Sequence, residues 1–470
     1  MESEGSTGIF SKWRRYNLIE IPVFLDLCAS GMTETVFSDL ILYQTCRITL
    51  NETLTDTCNL LHNNSSSQAA RDLEQLIQPR ASYILLSKSL IEGILPAIFS
   101  LFLGPWSDRY GRKPILIAAF TGPFIRFVML SILSVWNLNP WIYLIASIPR
   151  ALLGGVCGLM LSIFCYISDI TNDGNRAWRL ACVENSLAAG LVVGTFLGPF
   201  IFQRFGYTTL FIAATFTSGL TLFNILFLIP ESVKRQEPEH KWKNPFDVSL
   251  VKKLFQTATR KRPGLDRSTL WSCILILSLY VIAISGEINT GFLFANARLG
   301  WNVVQYSEVS AICTVLAIAG VSLGMKIFRR IGFSELSVAL VGTISIFSGS
   351  MITAFTFKPW HMYLAGGCGV FSALLTPPIR SILSKSVPPA DVGKVFSLTT
   401  SVESTLPLAT NSLYTFLYAH YMPPYYPSPV YLLSGFIFLC ILLLIVVLDR
   451  KNARTINPSV YTSLVEDVIN

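Results

Sequence analysis

The sequence predicts an all-α integral membrane protein with twelve transmembrane helices. Of its 470 residues, 52% are apolar and 14% are charged, whereas soluble domains carry about 25% charged residues. The mean hydropathy is +0.53. Apolar stretches long enough to cross a ~30 Å hydrocarbon core recur along the whole chain. This composition excludes a soluble globular protein, a disordered chain and a secreted disulfide scaffold.

Each predicted span is an apolar stretch bounded by turn residues or charges. The twelve spans are 19–43, 81–104, 114–136, 141–166, 181–203, 207–230, 269–295, 303–328, 333–356, 360–384, 394–419 and 429–448. Helices are expected because a backbone inside a bilayer must satisfy its own hydrogen bonds. Residues 1–18 are polar, and no small-residue cleavage signature follows the first span, so we expect no cleaved signal peptide.

Lysine and arginine residues predict the orientation of the spans. The breaks after even-numbered spans are basic, whereas the short breaks after odd-numbered spans carry at most one basic residue. Because positive charge accumulates on the cytosolic side, both terminal segments, 1–18 and 449–470, are predicted to be cytosolic. The net charge of +8 is interpreted in the same way, and we expect no nucleic-acid partner.

The first external loop, 44–80, has the features of a translocated segment. Its N-glycosylation sequons begin at Asn51, Asn63 and Asn64. The loop also contains Cys46 and Cys58, which lie outside every predicted span. An oxidising compartment would permit a disulfide between them, and two free thiols are the alternative. We therefore predict a glycosylated external loop.

A basic segment at 231–268 divides the chain into two halves of six spans, 19–230 and 269–448. It contains ten lysine and arginine residues and three prolines. The stretch from Lys252 to Phe255 fits an amphipathic helix on the inner leaflet, and a solvated connector is the alternative. Two halves of six spans joined by a basic cytosolic loop are the layout of the major facilitator superfamily.

The strongest local motif lies between spans 2 and 3. Its defining residues are Gly104, Asp108, Arg109, Gly111, Arg112 and Lys113. The motif resembles the G-x-x-x-D-[RK]-x-G-[RK]-[RK] signature of major facilitators, at the position that superfamily requires. Asp108 can accept hydrogen bonds from a helix N-terminus or an arginine, which predicts a conformational latch. Plain positive-inside anchoring is the alternative. In the corresponding loop between spans 8 and 9, Arg329 stands where the aspartate belongs.

Span 5 carries a glycine at every fourth position. The glycines are Gly190, Gly194 and Gly198, followed by Pro199. Small residues at this spacing let two helices approach closely. We interpret this face either as a hinge between the two halves or as tight packing alone.

Spans 1, 4, 5, 7, 10 and 11, which line the central cavity in a major facilitator, carry seven charged residues that we consider as candidates for function. They are Asp26, Glu34, Arg150, Glu184, Glu287, Arg380 and Glu403. A charge at mid-span costs about 2.5–3.5 kcal/mol on insertion scales, so each requires a reason. The distribution predicts a polar central pathway.

The acids and the arginines predict different roles. A carboxylate in a low-dielectric site can alternate between protonated and charged forms. The candidates for proton coupling are Glu184, Glu287 and Glu403. An arginine can hold a carboxylate or phosphate bidentately. The candidates for substrate binding are Arg380, Arg150, Asp26 and Glu34. Internal ion pairing is the alternative, for instance of Glu184 with Arg150, and Arg150 also lies near enough to a span end to snorkel.

Longer motifs indicate a family. The stretch Thr376-Pro-Pro-Ile-Arg380-Ser-Ile-Leu-Ser-Lys385 is followed by Gly393-Lys-Val-Phe396. Two other stretches are Arg179-Leu-Ala-Cys-Val-Glu184 and Leu299-Gly-Trp301-Asn. Together with the motif after span 2, they resemble solute carrier family 46, an animal family that includes the proton-coupled folate transporter. The resemblance covers nearly the whole chain.

The resemblance implies a carrier of organic anions, because the family's substrates include folates, cyclic dinucleotides and fragments of bacterial peptidoglycan. It implies a proton-coupling role for Glu184, and substrate and proton handling for Arg380. Three positions differ from the folate-transporting member. Ala283 stands in place of a histidine, Gly155 in place of an acid and Gly300 in place of a cysteine. The resemblance therefore does not assign folate as the substrate.

We predict a secondary transporter that moves an organic anion by alternating access, with protons as the coupling ion. The alternatives are a facilitative uniporter and a transporter-derived membrane receptor that binds ligand without transport. We see no histidine cluster, nucleophile elbow or phosphate loop, so we expect no enzyme activity, no metal and no cofactor. The expected partners are a small anionic solute, protons and the lipid bilayer. In the tail, Tyr461-Thr-Ser-Leu464 has a form that clathrin adaptors bind. It predicts residence in the plasma membrane, in endosomes and lysosomes, or in both.

Overall fold

The computed structural model describes residues 19–50, 58, 68–232, 267–301, 303–420 and 426–456. Three sets of predictions lie outside the described residues. They are the sequons at Asn51, Asn63 and Asn64, nearly all of the basic segment 231–268, and the tail motif of Tyr461 and Leu464. Within the described part of the chain, the regular structure consists of α-helices and short 3₁₀-helices, without a strand.

Thirteen α-helices are present among the described residues, numbered here in chain order. The first six are α1 (Glu20–Thr49), α2 (Gln68–Tyr110), α3 (Lys113–Leu133), α4 (Ser147–Leu152), α5 (Gly155–Ile170) and α6 (Asp173–Phe227). The others are α7 (Arg267–Leu299), α8 (Val303–Ile331), α9 (Glu335–Ala354), α10 (Pro359–Cys368), α11 (Thr376–Lys385), α12 (Val392–His420) and α13 (Pro429–Ile456). The 3₁₀-helices are Pro140–Ala146, Gly369–Leu374 and Pro389–Asp391.

The helices account for all twelve predicted spans. Nine helical stretches in the described residues are long and apolar enough to cross a membrane. One of these stretches, α6, consists of two helices that correspond to spans 5 and 6 and meet at Gly206, where the backbone is not helical (φ 78°). The predicted spans 1 and 11 correspond to α1 and α12. These two helices are not among the nine stretches, because they carry more polar side chains.

Spans 4 and 10 are interrupted helices. Span 4 is formed by the 3₁₀-helix Pro140–Ala146 followed by α4 and α5, and span 10 by α10, the 3₁₀-helix Gly369–Leu374 and α11. The break between α4 and α5 requires glycine, since Gly154 and Gly155 have φ values of 103° and 51°. A Cβ at Gly155 would also lie 2.6 Å from Cγ of Pro96 on α2.

The described residues form two compact units that do not follow chain order. The first is drawn from Met1–Ile170, Ser186–Phe255 and Ala390–Thr405, and the second from Thr171–Asn185, Gln256–Pro389 and Leu406–Asn470. The first turns of α6 therefore belong to the second unit, and the first turns of α12 belong to the first unit. The division into six-span halves at 19–230 and 269–448 stays a prediction.

The glycine face of α6 packs directly against the backbone of α1 in the first unit. A Cβ at Gly190 would overlap the carbonyl oxygen of Phe24, and one at Gly194 would overlap that of Cys28. In the opposite direction, a Cβ at Gly31 of α1 would lie 2.8 Å from the carbonyl oxygen of Leu191. The glycines therefore allow two backbones to touch, as the packing interpretation of this face expects.

A disulfide joins Cys46, near the end of α1, to Cys58. Both cysteines are fully buried and pack with Ile77 of α2. The disulfide therefore fixes the start of the external loop to the end of α1.

Candidate functional site

Glu184 and Arg380 form an ion pair in the second unit. Nε of Arg380 donates a hydrogen bond of 3.2 Å to Oε1 of Glu184, and the hydroxyl of Thr376 donates one of 2.5 Å to Oε2. The side chain of Glu184 is 20% exposed, and that of Arg380 is 11% exposed. Both oxygens of one carboxylate are thus held by groups on the same short helix.

The local sequence of α11 explains this geometry. Pro377 and Pro378 occupy its first turn, where a proline costs no helical hydrogen bond. Thr376 and Arg380 are four residues apart and so lie on one face of the helix. Sequence reasoning listed Glu184 and Arg380 as separate candidates and suggested Arg150 as the ion-pair partner of Glu184. In the structure Glu184 pairs with Arg380, a partner that the sequence did not suggest.

Glu287 of α7 lies among hydroxyl groups in the same unit. Its carboxylate accepts a hydrogen bond of 2.6 Å from Ser350 of α9 and another from Ser434 of α13. Ser434 also shares a hydrogen bond of 2.9 Å with the hydroxyl of Tyr414. Within the part of the chain that the structure describes, no lysine or arginine forms an ion pair with Glu287. This carboxyl group can therefore gain or lose a proton without breaking an ion pair.

Glu403 lies on the portion of α12 that belongs to the first unit. Its surroundings include Cys157 of α5, whose thiol donates a hydrogen bond of 2.8 Å to Ser404. The three candidates for proton coupling therefore occupy three different environments.

Asp26 of α1 is fully buried, with no exposed surface. Among the described residues, its two carboxylate oxygens have no hydrogen-bond partner. Arg126 of α3 and Arg150 of α4 are the cations close enough to act on it electrostatically. Asp26 thus lies too deep to contact a solute directly in this conformation, and its proximity to Arg150 is electrostatic.

Glu34 belongs to a four-residue charged cluster in the first unit. Its partners are Lys88 and Glu92 of α2 and Arg126 of α3. None of these three residues was among the candidates predicted from the sequence. A signal was present, since Lys88 and Glu92 are four residues apart within predicted span 2 and so share one helix face.

The predicted latch residues contact the start of α12 within the first unit. The carboxylate of Asp108 accepts hydrogen bonds from the backbone N–H groups of Gly393 (2.9 Å) and Lys394 (3.2 Å). Nη2 of Arg112 lies 2.7 Å from the same carboxylate. A Cβ at Gly104 would overlap the carbonyl oxygen of Gly393, so glycine permits this close approach.

Two further acids complete the surroundings of this motif. Asp169 of α5 accepts a hydrogen bond of 2.9 Å from Nε of Arg112. Glu231 accepts hydrogen bonds from the backbone N–H groups of Arg112 (2.7 Å) and Lys113 (3.1 Å), at the start of α3. Gly111 has a φ of 111°, which favours glycine at the turn. The side chain of Arg109 lies outside the described residues. In the second-half counterpart, Arg329 is exposed.

The protein has polar and charged groups inside its membrane spans. Comparison with known proteins assigns its family. The family model described as Major Facilitator Superfamily matches residues 89–407, more than half of the chain. The chain belongs to the Major Facilitator Superfamily.

Members of the superfamily with solved structures share its fold. The human organic anion transporter MFSD10 (TETRAN) aligns with a TM-score of 0.70 at 13% identity, over 92% of this chain and 99% of that one. The Escherichia coli fucose:proton symporter aligns with a TM-score of 0.63 at 13% identity, over 91% of this chain and 97% of that one. At such identities the likeness concerns the fold alone. It confirms the predicted all-α, twelve-span major facilitator architecture.

Curated relatives confirm the resemblance to solute carrier family 46. A probable peptidoglycan muropeptide transporter of Drosophila melanogaster is 25% identical over 93% of this chain and 86% of its own length. The proton-coupled folate transporter of Bos taurus is 26% identical, over 82% and 79%. The lysosomal proton-coupled steroid conjugate and bile acid symporter SLC46A3 of Gallus gallus is 24% identical, over 91% of each. These relatives are membrane transporters of organic solutes.

Proposed function

We propose that this facilitator moves an organic anion across a membrane by alternating access and couples that movement to protons. The observation that carries the proposal is the ion pair of Glu184 with Arg380. Protonation of Glu184 would remove its charge and leave the guanidinium free for an anion. Ionised Glu184 would occupy the guanidinium itself. Proton binding and anion binding are therefore linked through one pair of side chains.

The relatives support an anionic solute. Their printed substrates are a muropeptide, a folate, and steroid conjugates and bile acids. Molecules of these classes are large and carry carboxylate, phosphate or sulfate groups that suit the planar guanidinium of Arg380. The proposed substrate is an organic anion of this kind, such as a folate-like molecule, a cyclic dinucleotide, a peptidoglycan fragment or a steroid conjugate.

Glu287 and Glu403 are proposed as further proton carriers. The partners of Glu287 are the hydroxyls of Ser350 and Ser434. A proton can enter or leave this site without separating a salt bridge. In contrast, protonation of Glu184 requires the release of Arg380. The two glutamates of the second unit would thus differ in how strongly their protonation is linked to anion binding.

Asp108 is proposed as the conformational latch. Its carboxylate lies at the N-terminus of α12, where the partial positive charge of the helix favours an anion. Alternating access would require these hydrogen bonds to break and form again in each transport cycle. Glu231 and Asp169 hold Arg112 in a position to stabilise Asp108.

A facilitative uniporter is the second candidate. The observation that favours it is the completeness of the Glu184 site, in which Thr376 and Arg380 satisfy both carboxylate oxygens. Such a pair can be purely structural. The two candidates differ in one measurable property, the dependence of uptake on pH.

We further propose that both termini face the cytosol and that the protein resides in the plasma membrane, in endosomes and lysosomes, or in both. The basic residues after even-numbered spans support this orientation. The name of the Gallus gallus relative includes a lysosomal location.

Uptake into proteoliposomes tests the function independently of the membrane in which the protein resides in the cell. The probes are radiolabelled folic acid, muramyl dipeptide and estrone sulfate, each offered at acidic and at neutral external pH. We expect wild type to take up at least one probe faster at acidic pH. Glu184→Gln should retain uptake but lose the acid stimulation, because an amide cannot carry the proton.

A matched control is Glu335→Gln. Glu335 also pairs with a cation of the second unit, accepting hydrogen bonds from Ser381 (2.9 Å) and Lys385 (2.8 Å), and we expect this variant to keep the wild-type pH profile. Identical profiles for Glu184→Gln and wild type would favour the uniporter. Absence of uptake of all three probes at both pH values would count against an organic-anion carrier.

A further inference from the structure

Four charged side chains meet in the first unit, on α1, α2 and α3. Nζ of Lys88 contacts Glu34 directly and lies 3.6 Å from Glu92. Nη1 of Arg126 lies 3.1 Å from Glu92, whereas its Nη2 lies 3.7 Å from Glu34. Glu92 also accepts a hydrogen bond of 2.8 Å from Ser147. We call these four residues, Glu34, Lys88, Glu92 and Arg126, the first-unit charge cluster.

The guanidinium of Arg126 is incompletely satisfied. The side chain is 1% exposed. Among the described residues, its Nε and Nη2 have no hydrogen-bond acceptor. The carboxylate oxygen of Glu34 lies 3.7 Å from Nη2, beyond hydrogen-bond range. A buried donor without an acceptor is costly, and more so when it is charged. The site therefore favours an additional oxygen acceptor next to Nη2.

The two acids of the cluster differ in accessibility. The side chain of Glu34 is 57% exposed, whereas that of Glu92 is 21% exposed. An ionised side chain within a span faces a water-filled pathway, because exposure to lipid is too costly. Thr35, next to Glu34 on α1, is also exposed. Glu34 can therefore move away from the cluster into water without becoming a buried, unpaired charge.

The two cations of the cluster have contacts other than those to Glu34. Nζ of Lys88 lies 5.3 Å and Cζ of Arg126 lies 5.7 Å from the ring centroid of Phe37, so one aromatic ring supports both. Glu92 retains its contacts to both cations. Within the part of the chain that the structure describes, the buried Asp26 and the half-buried Arg150 also act on the cluster electrostatically. Displacement of Glu34 would leave a preformed pair of cations open on one side.

We propose that Arg126 and Lys88 form an oxyanion-binding subsite and that Glu34 is its built-in competitor. An entering carboxylate, phosphate or sulfate group takes the place of the Glu34 carboxylate. It accepts hydrogen bonds from Nη2 and Nε of Arg126 and from Nζ of Lys88. One ion pair replaces another, and Glu34 enters water, so the exchange leaves no buried charge unpaired in the protein. The ligand class is any solute with such an oxyanion group.

The inference rests on the proposed function in one respect, that the transported solute is an anion. The subsite itself requires only oxyanion chemistry, so it is tested with inorganic pyrophosphate. The measurement is the rise in the thermal unfolding midpoint of the full chain in detergent. Pyrophosphate is titrated in the millimolar range against sodium chloride of equal ionic strength. We expect wild type to show a saturable rise, from which a dissociation constant is obtained.

The decisive variant is Glu34→Gln. Removal of the competing charge should lower the dissociation constant for pyrophosphate roughly threefold, as expected for loss of a water-exposed ion pair. A misfolded variant would not produce this gain. Arg126→Lys should weaken binding about tenfold or more, because a point charge cannot replace the planar guanidinium. The control is Asp39→Asn, which removes the same charge from the same helix. Asp39 accepts a hydrogen bond of 2.5 Å from Tyr207 instead, and its loss should leave binding unchanged.

Three outcomes would overturn the subsite. They are the absence of a saturable response in wild type, equal dissociation constants for Glu34→Gln and Asp39→Asn, and wild-type binding by Arg126→Lys. The uptake assay tests the proposed function separately. If pyrophosphate binds through Arg126 but none of the labelled organic anions is taken up, the subsite stands and the organic-anion function fails. If uptake occurs but Glu34 and Arg126 variants bind pyrophosphate like wild type, the function stands and the subsite fails.

Discussion

The carboxylate of Asp108, at the end of α2, accepts a hydrogen bond of 2.9 Å from the backbone N–H of Gly393, at the start of α12. The two residues are 285 positions apart in the chain. A carboxylate at the N-terminus of a helix satisfies free N–H groups and interacts with the helix dipole. Gly104 of α2 also touches Gly393 of α12. The contact therefore requires a glycine on each of these two helices and an acid on α2 one turn after its glycine.

Replacement of Asp108 by Asn should slow transport. The amide can still accept a hydrogen bond but loses the charge–dipole interaction, which is typically about 0.3–2 kcal/mol. We expect the maximal uptake rate in proteoliposomes to fall severalfold while the apparent affinity changes little. The control is Asp173→Asn, because Asp173 is 76% exposed and pairs with Arg176 on its own helix. Equal rates in Asp108→Asn and wild type would contradict a latch and favour simple anchoring.

Arg380→Lys should weaken apparent affinity for an anionic probe by about tenfold or more. The guanidinium of Arg380 presents several donors in a fixed plane, and an ammonium group does not. The variant is compared with Arg176→Lys. Arg176 is a neighbouring cation of the second unit that donates a hydrogen bond of 3.0 Å to Ser384. Concentration dependence of uptake provides the measurement. An unchanged KM in Arg380→Lys would place Arg380 outside the substrate site.

Gly194→Ala should destabilise the first unit. The added Cβ would overlap the carbonyl oxygen of Cys28 and lie 2.9 Å from the backbone nitrogen of Met32. Because backbone atoms cannot rotate away, the helices must separate, at a cost of about 1–3 kcal/mol. The thermal unfolding midpoint in detergent should fall. Gly367→Ala, where a Cβ meets nothing within 4 Å, should leave the midpoint unchanged. A stable Gly194→Ala protein would show that the α1–α6 contact can adjust.

Tyr461→Ala combined with Leu464→Ala should move a tagged protein toward the cell surface. Both residues belong to a Tyr-x-x-Leu sequence that fits an extended peptide in a clathrin adaptor, with one pocket for each side chain. The measurement is the ratio of surface to vesicular protein by biotinylation and microscopy. Thr462→Ala and Ser463→Ala change the intervening residues and form the matched control. A wild-type ratio in the double mutant would leave the plasma membrane as the predicted location.

The amino-acid sequence alone determined the fold class, because the bilayer imposes a physical rule that each span obeys locally. A stretch of about twenty apolar residues must satisfy its backbone hydrogen bonds within itself, and basic residues accumulate on one side. The local motif around Asp108 was equally visible, since its residues are adjacent in sequence. Charges such as Glu184 and Arg380 could be recognised as unusual because the hydrocarbon core excludes charge.

Only the tertiary structure decided which charges are partners. Glu184 and Arg380 are 196 positions apart, and helical periodicity carries no information about which distant helix packs against a given face. The sequence therefore did not connect Glu184 with Arg380, and it overlooked Lys88 and Glu92. In the folded chain, close packing of α1, α2 and α3 brings these two residues to Glu34 and Arg126. The reason is energetic: a charge within a span must find its counter-charge wherever the packing of apolar and glycine surfaces places it.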